Sequence, residues 1–174
     1  MTVNQGFRLS LAKIAAALAV VVLLVSAYLA LGRTKSVPDA TFVLLSGEKL
    51  TTRDLRGKVY IVDFWATSCA TCVKEMPQMI ETYNKFKGPD FDFVAVSMKY
   101  DPPAYVRNYT RTRQLPFKVT IDADGSLERK FYDVEMTPTT FVVDKQGRIL
   151  KRILGEPDFQ VFHRLIEQAL AQPA

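Results

Sequence analysis

Cys69 and Cys72 are the only two cysteines of the 174-residue chain, and they stand where a strand-like run gives way to a helix-like one. Before them, Val59-Tyr60-Ile61-Val62-Asp63-Phe64, introduced by Gly57-Lys58, has the β-branched and aromatic density of a buried central strand. After them a helix is expected from around Cys69 towards Phe86, ended by Gly88-Pro89. Pro77 should kink it, since proline lacks a backbone donor and crowds the preceding turn. A buried strand feeding a helix begins a layered α/β architecture, and the rest of the chain continues it.

Phe42–Leu45 and the Gly47 turn suggest a small hairpin leading in, and Phe91–Ser97 reads as the next strand. Asp101-Pro102 has the form of a helix start, with Asp as N-cap and Pro at the first helical position; that helix should reach about Arg113. Val119–Ile121 is a short strand, and Asp124-Gly125 turns the chain into a helix near Leu127–Phe131. Thr139–Val143 and Arg148–Leu154 are strands joined by a turn containing Gly147. Phe159, Phe162, Ile166, Ala169 and Leu170 share one face of a final helix capped by Asp158. This order predicts an α/β fold with a central mixed sheet flanked by helices on both sides.

The formal net charge is +5, and Arg8 and Lys13 supply two of those charges before any acidic residue occurs. What remains is mild and forms no dense basic stripe. Arg107, Arg111 and Arg113 read as one solvated helix face, so no nucleic-acid partner is expected.

Ile14 to Gly32 is uncharged and has no polar face. At about 1.5 Å per residue it is roughly long enough to cross a bilayer core. A cleaved signal peptide is one reading, because Val25-Ser26-Ala27 and Ala30-Leu31-Gly32 resemble cleavage sites. The run is longer than a usual signal core, which favours an uncleaved signal anchor and transmembrane helix over residues 14–32. Residues 1–13 then form a cytoplasmic flank, 33–38 a linker and 39–174 the folded domain. Arg8 and Lys13 are balanced by Arg33 and Lys35, so charge marks the orientation only weakly. The redox chemistry of the cysteine pair puts the domain outside the cytoplasm.

A dithiol carrier needs one exposed, acidified thiol and one shielded partner. The start of a helix acidifies a thiol, because unpaired amide N–H groups and the helix dipole favour the thiolate. The first cysteine of Cys-x-x-Cys sits at that tip and the second lies about one turn inside. Cys69 is therefore expected to attack, and Cys72 to resolve the mixed disulfide. A structural zinc site would need four ligands, and the only histidine, His163, is far along the chain. A purely structural disulfide across so short a loop would constrain the unfolded chain little.

Asp54-Leu55-Arg56-Gly57-Lys58, followed by Trp65-Ala66-Thr67-Ser68-Cys69-Ala70-Thr71-Cys72-Val73-Lys74-Glu75-Met76-Pro77, resembles the membrane-anchored thiol-disulfide oxidoreductases of the TlpA/ResA type. Pro138, in Met136-Thr137-Pro138-Thr139-Thr140-Phe141, stands where that family has its cis-proline, and the Asp144-Lys145-Gln146-Gly147 turn is also similar. The resemblance spans roughly residues 38–172. It implies a thioredoxin-like three-layer fold in a bacterial protein tethered by a single pass to the inner membrane, with its domain on the periplasmic side. The implied partners are disulfide- or thiol-containing exported proteins and a membrane thiol electron donor. A Cys69–Cys72 redox disulfide is implied, with no further cofactor and no metal.

The same resemblance assigns roles by position. Pro138 would be cis beside the cysteines, and the backbone of Thr137 would hydrogen-bond an extended substrate segment. Glu75 stands at the family's acidic position one turn after Cys72, to tune the thiols and relay a proton. Asp63 matches the buried acid of thioredoxin and would share that work; a charge in so apolar a strand is unfavourable to bury unpaired. Trp65 would form a wall of the active-site surface. Some residues depart from the pattern. Ser68 replaces the common tryptophan before the first cysteine, and the dipeptide between the cysteines is Ala70-Thr71. Asp133-Val134-Glu135-Met136 lacks the glycine frequent in cytochrome c maturation members, and Thr139 replaces their glutamate, which counts against a dedicated role in cytochrome maturation.

Three functions compete. The first is a thiol-disulfide reductase fed by the membrane donor. The second is a Cu(I) carrier using the same thiolates, with Met76, Met79, Met98 and Met136 as further soft ligands, although methionines more often pack in cores. The third, a peroxidase, is the weakest, because the segment before Cys69 lacks the proline that frames a peroxidatic cysteine.

Overall fold

The computed structural model describes residues 35–173 and, nearer the N-terminus, Lys13, Ala16 and residues 18–23. These N-terminal residues are helical. The anchor expected over 14–32 lies largely outside the described residues, and among the described residues no helix is long and apolar enough to cross a membrane. From Lys35 onward the chain forms its own unit.

That unit opens with an antiparallel hairpin, β1 (Thr41–Val43) and β2 (Lys49–Thr51), in which Phe42 faces Leu50. A mixed sheet follows, built from β3 (Val59–Trp65), β4 (Phe91–Ser97), β5 (Lys118–Ile121), β6 (Thr139–Val143) and β7 (Ile149–Leu154). Its order is β5-β4-β3-β6-β7. β3, β4 and β5 run parallel, whereas β6 is antiparallel to β3 and β7 to β6. Every residue of β3 and β4 is buried. A strand covered on both faces has no solvent side, which is why these two read as continuous apolar runs and not as alternations.

Four helices complete the unit: α1 (Ala70–Phe86), α2 (Pro103–Thr112), α3 (Ser126–Lys130) and α4 (Phe159–Leu170). Side chains alternate across the sheet. Val59, Ile61 and Trp65 of β3 pack with Met76 and Met79 of α1, Val106 of α2, and Phe162 and Ile166 of α4. Tyr60, Val62 and Phe64 point the other way, into a core with Phe42 of the hairpin, Leu127 of α3 and Phe131. The sheet is therefore flanked by helices on both sides, the second side shared with the hairpin. Asp158 caps α4 as expected, its Oδ1 accepting the Gln160 and Val161 N–H groups at 3.0 and 3.1 Å.

Two expectations need correction. Asp101 is not the N-cap of α2; Pro102 holds that position, in an extended conformation, and the helix begins at Pro103. The Asp101 side chain is instead buried and turned towards Thr67. Residues 35–38 are also not a free linker. Val37 is buried and its N–H donates to Gly147 O at 2.9 Å, while Ser36 bridges to Arg148. An apolar side chain with a place in the core and a backbone partner in the β6–β7 turn joins the domain.

Candidate functional site

β3 carries the chain to the end of the sheet, and the backbone turns through 66–69 into α1. Cys69 is the N-cap of that helix, with φ −85° and ψ 107°, and its sulfur accepts the Cys72 N–H at 3.1 Å. Ser or Asp more often fills this role. A sulfur there meets the unpaired amide groups and the positive end of the helix dipole, which favour a thiolate. The two cysteines are joined as a disulfide with their Cα atoms 5.2 Å apart. Cys69 is half-buried and Cys72 has no exposed surface, so an approaching molecule meets Cys69 first. Ser68, Ala70 and Thr71 are exposed around it.

Two buried carboxyl groups belong to the elements that flank the dithiol, Asp63 to β3 and Glu75 to α1. Asp63 has the parity of Ile61 and Trp65 in β3, so it faces the side of the sheet that α1 covers. It is 1% exposed and accepts the Thr140 hydroxyl at 2.9 Å. Burial pushes its pKa up to about 7, against the smaller opposing effect of that hydrogen bond. Glu75 stands one turn after Cys72 and is also 1% exposed. Both of its oxygens are buried without a hydrogen-bond partner among the described residues. Burial first, then the Asp63 charge and the Glu156 charge, push its pKa up to about 9, with Lys74 opposing. An unpartnered carboxyl inside a protein is far cheaper to keep protonated than charged. Lys74 itself is turned outward and pairs with Glu156 at 2.7 Å, across to the segment between β7 and α4.

The Thr137–Pro138 bond is cis. Pro138 lies one step beyond the Phe64–Thr139 pair of the β3–β6 ladder, which sets it beside the end of the strand leading to Cys69. Its carbonyl accepts the Gly155 N–H at 2.9 Å. The Thr137 hydroxyl meets the Tyr100 hydroxyl at 3.3 Å, while the backbone N–H and C=O of Thr137 make no hydrogen bond among the described residues. Tyr100 and Met136 are 55% and 61% exposed on this loop cluster.

Trp65 does not form a surface wall. It has no exposed area, and its ring packs on Tyr109 with centroids 5.2 Å apart. The parity of β3 turns it inward beneath the helices. Met76, Met79 and Met98 are likewise core side chains, at 2%, 0% and 2% exposure, which leaves only Met136 of those four able to meet a soft metal ion at the surface. Groups of three or more His, Cys, Asp or Glu residues suited to a metal do not occur among the described residues.

Sequence reasoning missed Asp101 and the Lys74–Glu156 pair. Asp101 Oδ2 accepts the Thr67 N–H at 2.6 Å, and Oδ1 accepts the Thr67 hydroxyl. Its local context, Asp before Pro, points to a helix cap; the partner it holds is distant in sequence and leaves no local signal.

The sequence profile of the Redoxin family matches residues 33–166 of the chain. A thiol-disulfide oxidoreductase ResA of Bacillus thuringiensis subsp. konkukian is 36% identical over 122 residues, covering 70% of this chain and 69% of that protein. ResA of Bacillus subtilis is 32% identical over 118 residues, covering 68% of this chain and 65% of that protein. A crystal structure of a thiol:disulfide interchange protein of the thioredoxin family from Chlorobium tepidum matches with a TM-score of 0.73 at 29% identity, over 80% of this chain and 99% of that one.

Proposed function

The chain belongs to the Redoxin family, among its TlpA/ResA-like thiol-disulfide oxidoreductases, and we propose that it acts as a disulfide reductase with Cys69 as its attacking thiol. The observation that carries this reading is the contrast between the two sulfurs. Cys69 is partly open at the N-cap of α1, and Cys72 is closed behind it with two buried carboxyl groups on the same face.

In this cycle the Cys69 thiolate attacks one sulfur of a target disulfide. A mixed disulfide forms, and the other target sulfur leaves as a thiolate that takes up a proton. Cys72 then gives up its proton and attacks the Cys69 sulfur. The Cys69–Cys72 bond forms, the second target sulfur leaves, and two electrons have passed from the protein to the target. Asp63, with a pKa of about 7, is partly ionised at neutral pH and can take the Cys72 proton. Glu75, with a pKa of about 9, holds a proton in the oxidised protein and can return it to a leaving thiolate. The free backbone of Thr137, before cis-Pro138, suits an extended target segment paired strand-fashion beside Cys69.

The same proposal includes location and partners. The uncharged run over 14–32 supports a membrane anchor, and the redox chemistry of the dithiol, with the family resemblance, favours the periplasmic side of a bacterial inner membrane for the domain. Exported disulfide-containing proteins would be the targets, and a membrane thiol donor would restore the dithiol. Insulin reduction by the pre-reduced protein tests the activity. Stoichiometric loss of insulin disulfides is expected, and intact insulin would overturn the reductase reading. Fusion to a reporter active only outside the cytoplasm tests the location, and a silent reporter would refute it.

A further inference from the structure

Asp101 lies outside both the dithiol and the acid pair, yet it is only 1% exposed. Its carboxyl group is spent on the segment that leads into Cys69. Oδ2 accepts the Thr67 N–H at 2.6 Å, and Oδ1 accepts the Thr67 hydroxyl. The Ser97 hydroxyl donates to Oδ2 at 3.3 Å, which orients the carboxyl from the end of β4. The backbone adds two links: Asp101 N–H donates to Met98 O, and Met98 N–H donates to Trp65 O, both at 3.0 Å. Residues 65–67 are thus fastened to residues 97–101. Among the described residues, Asp101 is the hydrogen-bond partner of both the N–H and the hydroxyl of Thr67.

The segment held in this way sets the first thiol. Ala66 O accepts the Cys69 N–H at 3.1 Å, so the position of residue 66 fixes where Cys69 enters α1. Moving Cys69 off the N-cap would take its sulfur away from the amide groups and the helix dipole, whose influence fades within one turn. We propose that Asp101 is a positioning residue of the redox loop: by gripping Thr67 at two atoms it holds Cys69 at the start of α1, where its thiolate is stabilised. This rests on Cys69 being the attacking thiol.

Two effects of Asp101 would act in opposite directions. Its grip favours the Cys69 thiolate through geometry, whereas a carboxylate nearby would disfavour it through charge. Removing Asp101 therefore has a sign that separates them. The experiment is iodoacetamide alkylation of the reduced full-length protein across the neutral pH range, with peptide mapping of the labelled cysteine. At neutral pH Asp101→Ala should alkylate Cys69 about fivefold more slowly than the parent. Thr67→Val, which keeps the carboxyl and the backbone bond but loses the hydroxyl, should fall between the two. Asp101→Asn, which retains an oxygen for the Thr67 N–H, should recover part of the loss. Profiles of Asp101→Ala and Thr67→Val that overlay the parent, or faster alkylation in Asp101→Ala, overturn the proposal. If Asp101→Ala does not fold, the Thr67→Val profile decides it, slower labelling supporting it and unchanged labelling refuting it. First labelling at Cys72 would overturn the attacking-thiol assignment, and this proposal with it; labelling at Cys69 without a shift overturns the role of Asp101 alone.

Discussion

Thr140 on β6 gives its hydroxyl to Asp63 on β3 at 2.9 Å, across a registered pair of the antiparallel ladder. The bond satisfies one oxygen of the acid but does not offset its removal from water, and Asp63 still rises to about 7. Glu75 rises further, to about 9, with neither oxygen partnered among the described residues.

These two shifts set a pH dependence with a definite sign. Raised folded values mean that the folded chain holds protons which the unfolded chain has already released above about pH 4. Stability should therefore be greatest at mildly acidic pH and fall as pH rises, until about 7 for Asp63 and about 9 for Glu75. Urea unfolding of the oxidised protein should show a loss of several kcal/mol between mildly acidic and mildly alkaline buffer, each acid contributing about 1.4 kcal/mol per pH unit below its folded pKa. Asp63→Asn should roughly halve the slope below about pH 7, and Glu75→Gln should lower it there and remove it above pH 7. A slope unchanged in both variants would reject the buried-acid account.

The thiol order leads to a separate expectation. Cys72→Ser should accumulate a covalent adduct with target proteins through Cys69, visible as a reductant-sensitive band, because the resolving sulfur is gone. Asp63→Asn should show a weaker form of the same behaviour, with release from the mixed disulfide slowed about tenfold or more in stopped-flow measurements. Normal turnover by Cys72→Ser would reverse the assignment.

Much of this arrangement was legible in the sequence, and the misses have a common cause. β3 and the cysteine spacing are local patterns, so strand, helix start and dithiol followed from neighbouring residues. Asp63 stood out because a charge inside an apolar run is conspicuous. Trp65 was misplaced because the resemblance assigned it a surface role by position, whereas its shared parity with Ile61 turns it under the helices. Asp101 was misread because Asp-Pro fits a local cap equally well, and only the tertiary structure brings Thr67 to its carboxyl. Val37 joined the core through Gly147, a contact between distant segments that Ser36-Val37-Pro38 alone does not announce.

The face of the sheet away from the dithiol has its own test. Phe131 lies 5.4 Å from Phe64, 5.5 Å from Phe141 and 6.1 Å from Phe42, ring centre to ring centre, and is fully buried. Phe131→Ala should lower unfolding stability by about 3–5 kcal/mol, with Phe131→Leu losing much less. Because the dithiol is on the other face, alkylation of Cys69 in the folded fraction should be unaltered. A loss under about 1 kcal/mol for the alanine variant would mean that the cluster repacks or was never tight.

Glu156 separates stability from electrostatics at the site. Its ion pair with Lys74 spans 2.7 Å, but the Lys74 side chain is 71% exposed. So open a pair contributes little to stability, because water screens it. Its charge nevertheless helps to raise the Glu75 pKa, while Lys74 opposes it. Glu156→Gln removes the first influence and frees Lys74 to exert the second, so both changes lower the Glu75 pKa. The alkaline half of the pH–stability curve should then move towards lower pH, with the midpoint in mildly acidic urea barely changed. Lys74→Gln should move the same limb the other way, because only the cation is lost. Opposite shifts from the two partners of one ion pair would come from charge acting on Glu75; equal losses of stability from both would assign the pair a structural role instead.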